Sequence, residues 1–159
     1  NLYLINMDGV VEDMGGTGTP AYLWNGYCPV HHHILKEFLA QKAQEHPDAE
    51  ICVHPECRTE VAEAADFVGS TAKIISHIGK SSSKKYLIGT EPGIIHALRK
   101  KYPDKEFIAA SDISICHDMK LITPQKLLWS LETLEPTVTV EKDVANRARV
   151  AIERMLELS

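Results

Sequence analysis

The 159-residue sequence lacks several features that mark particular classes of protein. It contains no hydrophobic run of transmembrane length and no signal peptide at its start, so we expect neither a membrane protein nor a secreted one. Only 17 Lys and Arg residues oppose 22 Asp and Glu residues, which gives a formal net charge of −5 with neutral histidines. An acidic chain without a basic run is a poor candidate for binding nucleic acid or a membrane surface.

Familiar ligand-binding motifs are missing as well. The sequence has no GxGxxG, Walker A or GxSxG motif, which argues against dinucleotide binding, NTP binding and an α/β-hydrolase. It also has no CxxC or HxxxH pair of the kind that holds zinc. The composition, with 44% hydrophobic and 25% charged residues, is nevertheless that of an ordinary globular protein.

Four cysteines are scattered along the chain, at Cys28, Cys52, Cys57 and Cys116. Without a leader sequence, this pattern favours free thiols or metal ligands over a disulfide framework. Cys52 and Cys57 have the C-x4-C spacing of plant-type ferredoxins, but the C-x2-C that should follow is absent, which argues against a ferredoxin. A small buried side chain without chemistry is the alternative for each cysteine.

Short apolar runs alternate with helical patterns from residue 50 onward. Strands are predicted at residues 51–54, 66–69, 86–89 and 106–110. Between and after these strands, helices are predicted at 59–65, 70–78 and 90–102. Further helices are predicted at 33–44, in a segment that includes Leu127, Leu128 and Leu131, and at 143–158. One more strand is predicted near Val138. The alternation predicts an α/β fold in which a parallel sheet carries helices on both faces.

Polar side chains follow the predicted strands at the edge where open α/β sheets bind ligands. They are His54 and Glu56, Ser70 and Thr71, Thr90 and Glu91, and Ser111 and Asp112. His54 and Glu56 are two residues apart, so in extended backbone they share a face and could move protons or hold a substrate carboxylate and amine. Ser70 and Thr71 suit carboxylate or phosphate binding at a helix N-terminus. The alternatives are helix capping by His54 and Glu56 and an ordinary N-cap at Ser70.

A run of three histidines, residues 31–33, follows Cys28 closely. Adjacent side chains point apart in a strand and fan out in a helix, so at most one or two of them can serve a single site. The stretch that begins at Cys28 and the stretch that begins at Cys116 each continue into a helix, a Pro-containing turn and a predicted strand. This faint internal repeat indicates similar units that each begin at a cysteine.

Seven short motifs, in order from about residue 22 to the C-terminus, resemble the quinolinate synthase family. They are WNGYCPVH at 24–31, HPEC at 54–57, ADFVGST at 65–71, IGTE at 88–91, YPDK at 102–105, CHDMK at 116–120 and AIERML at 151–156. Matching motifs in the right order make the resemblance specific.

The resemblance implies a cytoplasmic iron–sulfur enzyme of de novo NAD biosynthesis, a transferase of the EC 2.5.1 type. Its three-layer αβα units surround a pseudo-threefold axis, and one cysteine from each unit holds a 4Fe-4S cluster whose open iron acts as a Lewis acid. The enzyme condenses iminoaspartate with dihydroxyacetone phosphate to quinolinate, with loss of phosphate and water. Functional coupling to L-aspartate oxidase is also implied.

Carried over by motif, the resemblance implies roles for individual residues. Cys28 and Cys116 match two of the three cluster ligands, which would explain the internal repeat. His54 and Glu56 match catalytic residues that also bind substrate. The remaining substrate-binding positions are His31, Ser70 and Thr71. Cys57 lies in the HPEC motif but is not a ligand in the family, and Cys52 is expected to lie in the core.

The sequence departs from the family in length and in the third cluster cysteine. We expect residues 1–28 to be the end of a preceding αβα unit, 29–115 a complete unit, and 116–159 a helix–strand–helix tail that packs on a missing first unit. The last helix should then expose part of its apolar stripe. Two cysteines do not reproduce a three-cysteine site, so the chain alone is expected to be inactive.

Two other functions are consistent with the same residues. The first is a truncated, non-catalytic αβα protein that binds a small dicarboxylate without a cluster. The second is a mononuclear metal hydrolase that uses His31, His54 and Glu56. The missing third cysteine separates the first alternative from the enzyme, and metal content separates the second.

Overall fold

The computed structural model of the protein describes residues 26–157. Residues 26–116 belong to one compact unit and residues 117–157 to a second. The predicted remnant of a preceding unit, at residues 1–28, lies almost wholly outside the described residues. Within the described part of the chain, no helix is long and apolar enough to cross a bilayer.

The first unit is a four-stranded parallel sheet flanked by helices. Its elements are α1 (Pro29–His32), α2 (Lys36–Glu45), β1 (Glu50–Val53), α3 (Thr59–Ala62), β2 (Phe67–Val68), α4 (Thr71–Lys80), β3 (Lys85–Gly89), α5 (Ile94–Lys101) and β4 (Glu106–Ala109). The strands lie in the order β2-β1-β3-β4, and every neighbouring pair is parallel. The predicted α/β fold is therefore confirmed, and all four carboxyl ends meet at one edge.

The sheet buries a different cluster of side chains on each face, because alternate strand residues point to opposite sides. One cluster contains Cys52, Tyr86, Ile88 and Phe107 of the strands, packed against Ile74 and Ile78 of α4 and Ile95 and Leu98 of α5. The other joins Val53 and Ala110 to Ile34, Leu39, Cys57 and Val61. Cys52 is fully buried, as the sequence predicts.

The helix predicted at residues 33–44 forms as α2, over Lys36–Glu45, and a separate short helix, α1, precedes it. Pro29 opens the short α1, as proline does at a first helical position, and α2 begins only at Lys36. Leu35, the residue before α2, has an extended backbone (φ −89°, ψ 147°), which keeps α1 and α2 apart. Phe38, expected on the apolar face, is 43% exposed, whereas Leu39 is buried. The apolar face is thus narrower than predicted.

The helix expected to open at Thr90 begins at Ile94 instead, so the prediction that Pro92 lies in its first turn is wrong. The Glu91 carboxylate accepts a hydrogen bond from the Gly93 N–H at 2.7 Å. This local side-chain hydrogen bond stabilises a turn in place of the first helical turn, so the helix begins further along the chain. The residues after β3 are therefore a loop at the carboxyl edge.

The second unit contains α6 (His117–Lys120), α7 (Pro124–Thr133) and α8 (Lys142–Glu157), and none of these helices has a buried residue. Val144 and Ile152, on the predicted apolar stripe of the last helix, are 50% and 54% exposed, in line with the expected exposed face. The strand predicted near Val138 does not form, and Val138 is 85% exposed. A strand needs a hydrogen-bonded neighbour, and no strand is present in the described part of this unit.

Candidate functional site

His31 lies at the centre of a hydrogen-bonded group at the carboxyl edge of the sheet. Its ring, 8% exposed, is positioned by the single turn of α1. Nδ1 lies 2.9 Å from Glu56 Oε2, and Nε2 lies 2.9 Å from Thr90 Oγ1. An ionised carboxylate only accepts hydrogen bonds, so in the neutral ring Nδ1 donates to Glu56 and Nε2 accepts from the Thr90 hydroxyl. Both ring nitrogens are thus engaged, which fixes the ring's orientation.

His54 packs face to face on His31, with ring centroids 4.0 Å apart and planes 5° from parallel. Its Nδ1 accepts a hydrogen bond from the Glu56 N–H at 3.2 Å. Burial lowers the pKa of His54, His31 adds to that effect, and Glu56 opposes it. The neutral form is therefore favoured at pH 7, with its proton on Nε2, the nitrogen that could donate to a ligand.

Glu56 contacts both histidines without being enclosed by them. Its Oε2 lies 2.9 Å from His31 Nδ1 and 3.9 Å from His54 Nδ1, yet the side chain is 57% exposed. A carboxylate hydrogen-bonded to one histidine and open to solvent can accept a proton from a bound molecule. The predicted pairing of His54 with Glu56 on one face is present, and His31 joins them.

Cys28 stands beside this group as the residue that precedes α1. Its Sγ, a His31 ring nitrogen and a Glu56 carboxylate oxygen all lie within 4.8 Å of one another. The thiol is half-buried, so a group bound at this edge can reach it. The structure therefore brings together Cys28, His31, His54 and Glu56 from the predicted set.

Cys57 differs from Cys28 although both are cysteines near the same edge. It is buried, and its Sγ donates to the Gly89 carbonyl at 3.5 Å. Burial raises the pKa of the Cys57 thiol to about 11. The Cys57 sulfur is thus already held by a backbone carbonyl, and its exclusion from the ligand set stays a prediction.

Cys116 ends the first unit and is half-buried. Ser111 and Ser114 lie between β4 and this cysteine, and both are buried. Their hydroxyl oxygens have no hydrogen-bond partner among the described residues. Buried polar atoms normally have a partner, so these hydroxyls mark a place where a polar group could be accommodated.

Ser70 and Thr71 are exposed at the start of α4. The Ser70 hydroxyl accepts a hydrogen bond from the Lys73 N–H at 3.4 Å. Ser70 is therefore an N-cap, which is the alternative to ligand binding that its position predicts. Thr71 is the first helical residue and lies at the same sheet edge as His54. Their predicted part in binding a substrate carboxylate stays a prediction.

The contact of Thr90 with His31 is not predicted by the sequence, in which Thr90 is only one of the polar residues after β3. The strand pairing could have indicated its role. Val53 of β1 is in register with Gly89 of β3, and the His54 N–H donates to the Gly89 carbonyl at 3.0 Å. The residues that follow the two strands are therefore neighbours at the carboxyl edge. Thr90, which follows β3, is thus close enough to hydrogen-bond the His31 ring.

Comparison with known proteins identifies the family. The family described as NadA, quinolinate synthetase A protein, matches residues 11–157. The chain belongs to the quinolinate synthase family. Similar proteins include the quinolinate synthases of Methanosarcina barkeri, 42% identical over 133 residues, and Caldicellulosiruptor saccharolyticus, 43% identical over 137 residues. The resemblance seen in the motifs is thereby confirmed.

These alignments cover most of this chain but only part of each relative. They include 84% of this chain and 44% of the Methanosarcina barkeri protein. The corresponding values are 86% and 45% for the Caldicellulosiruptor saccharolyticus protein, and 85% and 45% for the quinolinate synthase of Thermodesulfovibrio yellowstonii. The chain thus spans less than half the length of these quinolinate synthases.

Proposed function

We propose that this chain supplies part of the active site of a quinolinate synthase. The reaction would be the condensation of iminoaspartate with dihydroxyacetone phosphate to quinolinate, with loss of phosphate and water, in the EC 2.5.1 class. The observation that carries the proposal is the group at the carboxyl edge, where His31 bonds Glu56 and Thr90 and stacks on His54. In a chain of this family, it places a proton donor and a proton acceptor beside a half-buried thiol.

Glu56 and His54 would share the proton transfers of the condensation. The exposed Glu56 carboxylate can take a proton from carbon or nitrogen of a bound substrate, while neutral His54 can donate from Nε2. His31 would orient Glu56 through the Nδ1 hydrogen bond, and its own orientation depends on Thr90. The N-terminus of α4, with Ser70 and Thr71, would bind a substrate carboxylate.

The cysteine thiols of this chain are the kind of ligand that a 4Fe-4S cluster needs, but the chain supplies only two of the three. Cys28 and Cys116 would hold it, and a third cysteine would come from outside this sequence. The two buried hydroxyls of Ser111 and Ser114, close in sequence to Cys116, fit a polar group at this place. When bound, the cluster supplies a Lewis-acidic iron. Cys57 is unsuited because its buried thiol is bonded to a carbonyl.

The wider setting follows from the same proposal. Residues 29–115 would form one complete αβα unit, and residues 116–159 would pack on a unit that this sequence does not contain. The full enzyme would be cytoplasmic and functionally coupled to L-aspartate oxidase. The formal net charge of −5 argues against a nucleic-acid partner, and the proposed substrates are small molecules.

A chimeric enzyme tests the proposal directly. The matching C-terminal part of the Methanosarcina barkeri quinolinate synthase is replaced by this chain, and quinolinate formation is measured under anaerobic conditions. The chimera should make quinolinate, and Glu56→Gln and His54→Ala should lower its rate at least a hundredfold. The unmodified relative is the control. A chimera that binds its cluster but retains full activity in both variants would contradict the proposed roles.

One observation supports a second candidate function, that of a metal-dependent hydrolase. Cys28, His31 and Glu56, rather than the predicted set of His31, His54 and Glu56, lie close enough together to hold the single metal ion of a mononuclear metal hydrolase. Such an enzyme should purify with about one zinc ion per chain and no sulfide. A non-catalytic dicarboxylate binder would instead bind succinate without any metal. Metal and sulfide analysis of the anaerobically prepared protein separates these cases.

A further inference from the structure

A second group of ligand-type side chains lies at the opposite end of β1. Glu50 and Cys52 are two residues apart in this strand, so both face the side of the sheet that α4 covers. His77, in the last turn of α4, reaches the same place. A Glu50 oxygen, the Cys52 sulfur and a His77 ring nitrogen all lie within 4.8 Å of one another.

Neighbouring residues hold two of these three side chains in position. The Ser81 hydroxyl donates to Glu50 Oε2 at 2.6 Å, while Glu50 Oε1 contacts His77 Nε2. Phe67 stacks on the His77 ring with centroids 4.0 Å apart and planes 8° from parallel. Metal sites depend on such outer contacts, because they set the direction of the ligand atoms before the ion arrives.

We propose that Glu50, Cys52 and His77 form a second metal site, separate from the carboxyl-edge group, that binds a divalent ion of the zinc type. Carboxylate oxygen, thiolate sulfur and imidazole nitrogen are the donors that zinc prefers, and three protein ligands leave a fourth tetrahedral position for water. Bonds of about 2.0–2.3 Å to one ion require ligand atoms about 3–4 Å apart. The observed group therefore needs only a small contraction.

The charge balance and the access route are also suitable. Two anionic ligands and a neutral imidazole neutralise a doubly charged ion, which limits the cost of holding it beside a hydrophobic cluster. On binding, the Cys52 sulfur–hydrogen bond breaks, the sulfur keeps the electron pair to bond the metal, and the proton leaves to solvent. The His77 proton that faces Glu50 moves to Nδ1 by way of solvent, so the ring stays neutral and its Nε2 lone pair bonds the metal. Because Cys52 is fully buried, an ion would arrive from the side of His77 and Glu50, whose side chains are 28% and 16% exposed.

Cobalt(II) is the probe for this site, because thiolate ligation gives it an ultraviolet charge-transfer band that carboxylate and imidazole ligation do not. The titration uses the 159-residue chain with Cys28→Ser, which removes the thiol of the carboxyl-edge group. This protein should bind about one cobalt ion with a thiolate band, and zinc should displace it. Cys52→Ala should abolish the band, whereas Cys57→Ala, which removes another buried thiol, should leave it unchanged.

Two further variants keep the test decisive if Cys52→Ala fails to fold. His77→Gln can still hydrogen-bond Glu50 but lacks an imidazole ligand, and it should weaken zinc binding at least tenfold. Ser81→Ala removes the hydrogen bond to Glu50 and should weaken zinc binding tenfold to a hundredfold. A chain that binds no cobalt, a band that survives Cys52→Ala, or zinc affinity unchanged by His77→Gln in folded protein would each overturn the proposal.

Discussion

The two ends of β1 carry histidine–glutamate pairs that differ in how much of the carboxylate is already engaged. At the amino end, both Glu50 oxygens are bonded, one to His77 and one to Ser81, and the side chain is 16% exposed. At the carboxyl end, Glu56 bonds His31 through Oε2 and its side chain is 57% exposed. Without a metal, the first pair joins a strand to a helix, while the second leaves its carboxylate open to solvent.

The stacking partners differ in the same sense. His77 packs on the phenyl ring of Phe67, which cannot exchange protons, whereas His31 packs on the imidazole of His54, which can. A histidine–glutamate pair can therefore be suited to a fixed contact or to proton exchange, depending on what surrounds it. Exposure of the carboxylate and the nature of the stacked ring are the two features that distinguish the cases.

The largest effect should come from breaking the enclosed pair. Glu50→Ala removes the partner of both His77 and Ser81, and we expect it to lower the free energy of unfolding by about 3 kcal/mol, because two partly buried polar groups lose their hydrogen bonds. Urea denaturation in a metal-free buffer measures this, with Glu56→Ala as the matched control. Equal losses for the two variants would show that the ends of β1 do not differ.

A smaller effect is expected from Thr90, which lies 2.9 Å from His31 Nε2. Thr90→Val keeps the shape but leaves a buried ring nitrogen without a partner, at a cost of about 1.5 kcal/mol. Thr90→Ser keeps the hydroxyl and should retain most of that stability. Nitrogen NMR of the His31 ring should also show a changed tautomer balance only in the valine variant. Equal destabilisation by serine and valine would contradict this role.

Titration should separate the two ends of β1 on the pH scale. Burial lowers the pKa of His54, so below its usual value of 6.5 the unfolded chain takes up a proton before the folded one does. Stability due to this group is full above pH 6.5 and is lost as the pH falls toward the lower folded value. Urea midpoints measured between pH 7.5 and 5 should fall, and less steeply in His54→Gln. Identical slopes in both proteins would contradict the assignment.

At the amino end, the Glu50 carboxylate should respond only at lower pH. Burial acts to raise the pKa of Glu50, but hydrogen bonds from Ser81, Ser83 and His77 outweigh it and hold the pKa below its usual 4.5. The stability from this carboxylate is therefore present above pH 4.5 and is lost as the pH falls further. Loss of the Glu50 contribution already at pH 6, seen by comparison with Glu50→Gln, would contradict this separation.

The smallest change in stability is expected at Glu56. Glu56→Gln should alter the free energy of unfolding by about 0.5 kcal/mol or less, because a pair with an exposed carboxylate contributes little. Its large effect should be confined to quinolinate formation by the chimera. Urea denaturation of this variant therefore checks that any loss of activity comes from chemistry. A destabilisation as large as that of Glu50→Ala would overturn this distinction.

Local patterns in the sequence were enough to predict the sheet and one well-defined helix. The strand around Cys52 and the strand around Leu87 are short apolar runs, and Ser70 caps α4 as its position before Ile74 indicates. The prediction near Val138 failed because alternation alone does not provide a neighbouring strand. Strand propensity thus identifies a segment that can pair, and the partner decides whether it does.

The candidate site was only partly predictable. His54 and Glu56 were found because their spacing places them on one face of the same short segment. The hydrogen bond between His31 and Thr90 joins residues 59 positions apart, and it depends on strand order, which local patterns do not determine. Glu50 and His77 were missed for the same reason, since α4 brings them together from 27 positions apart.

Anaerobic reconstitution with iron and sulfide analysis tests the central claim most directly, that Cys28 and Cys116 are two of three cluster ligands. The account predicts no stable 4Fe-4S cluster on the 159-residue chain alone. It predicts about four iron and four sulfide per chimera with the Methanosarcina barkeri protein, lost in Cys28→Ser and in Cys116→Ser but retained in Cys57→Ser. A stable four-iron cluster on this chain alone, or one in the chimera that survives both ligand substitutions, would contradict it.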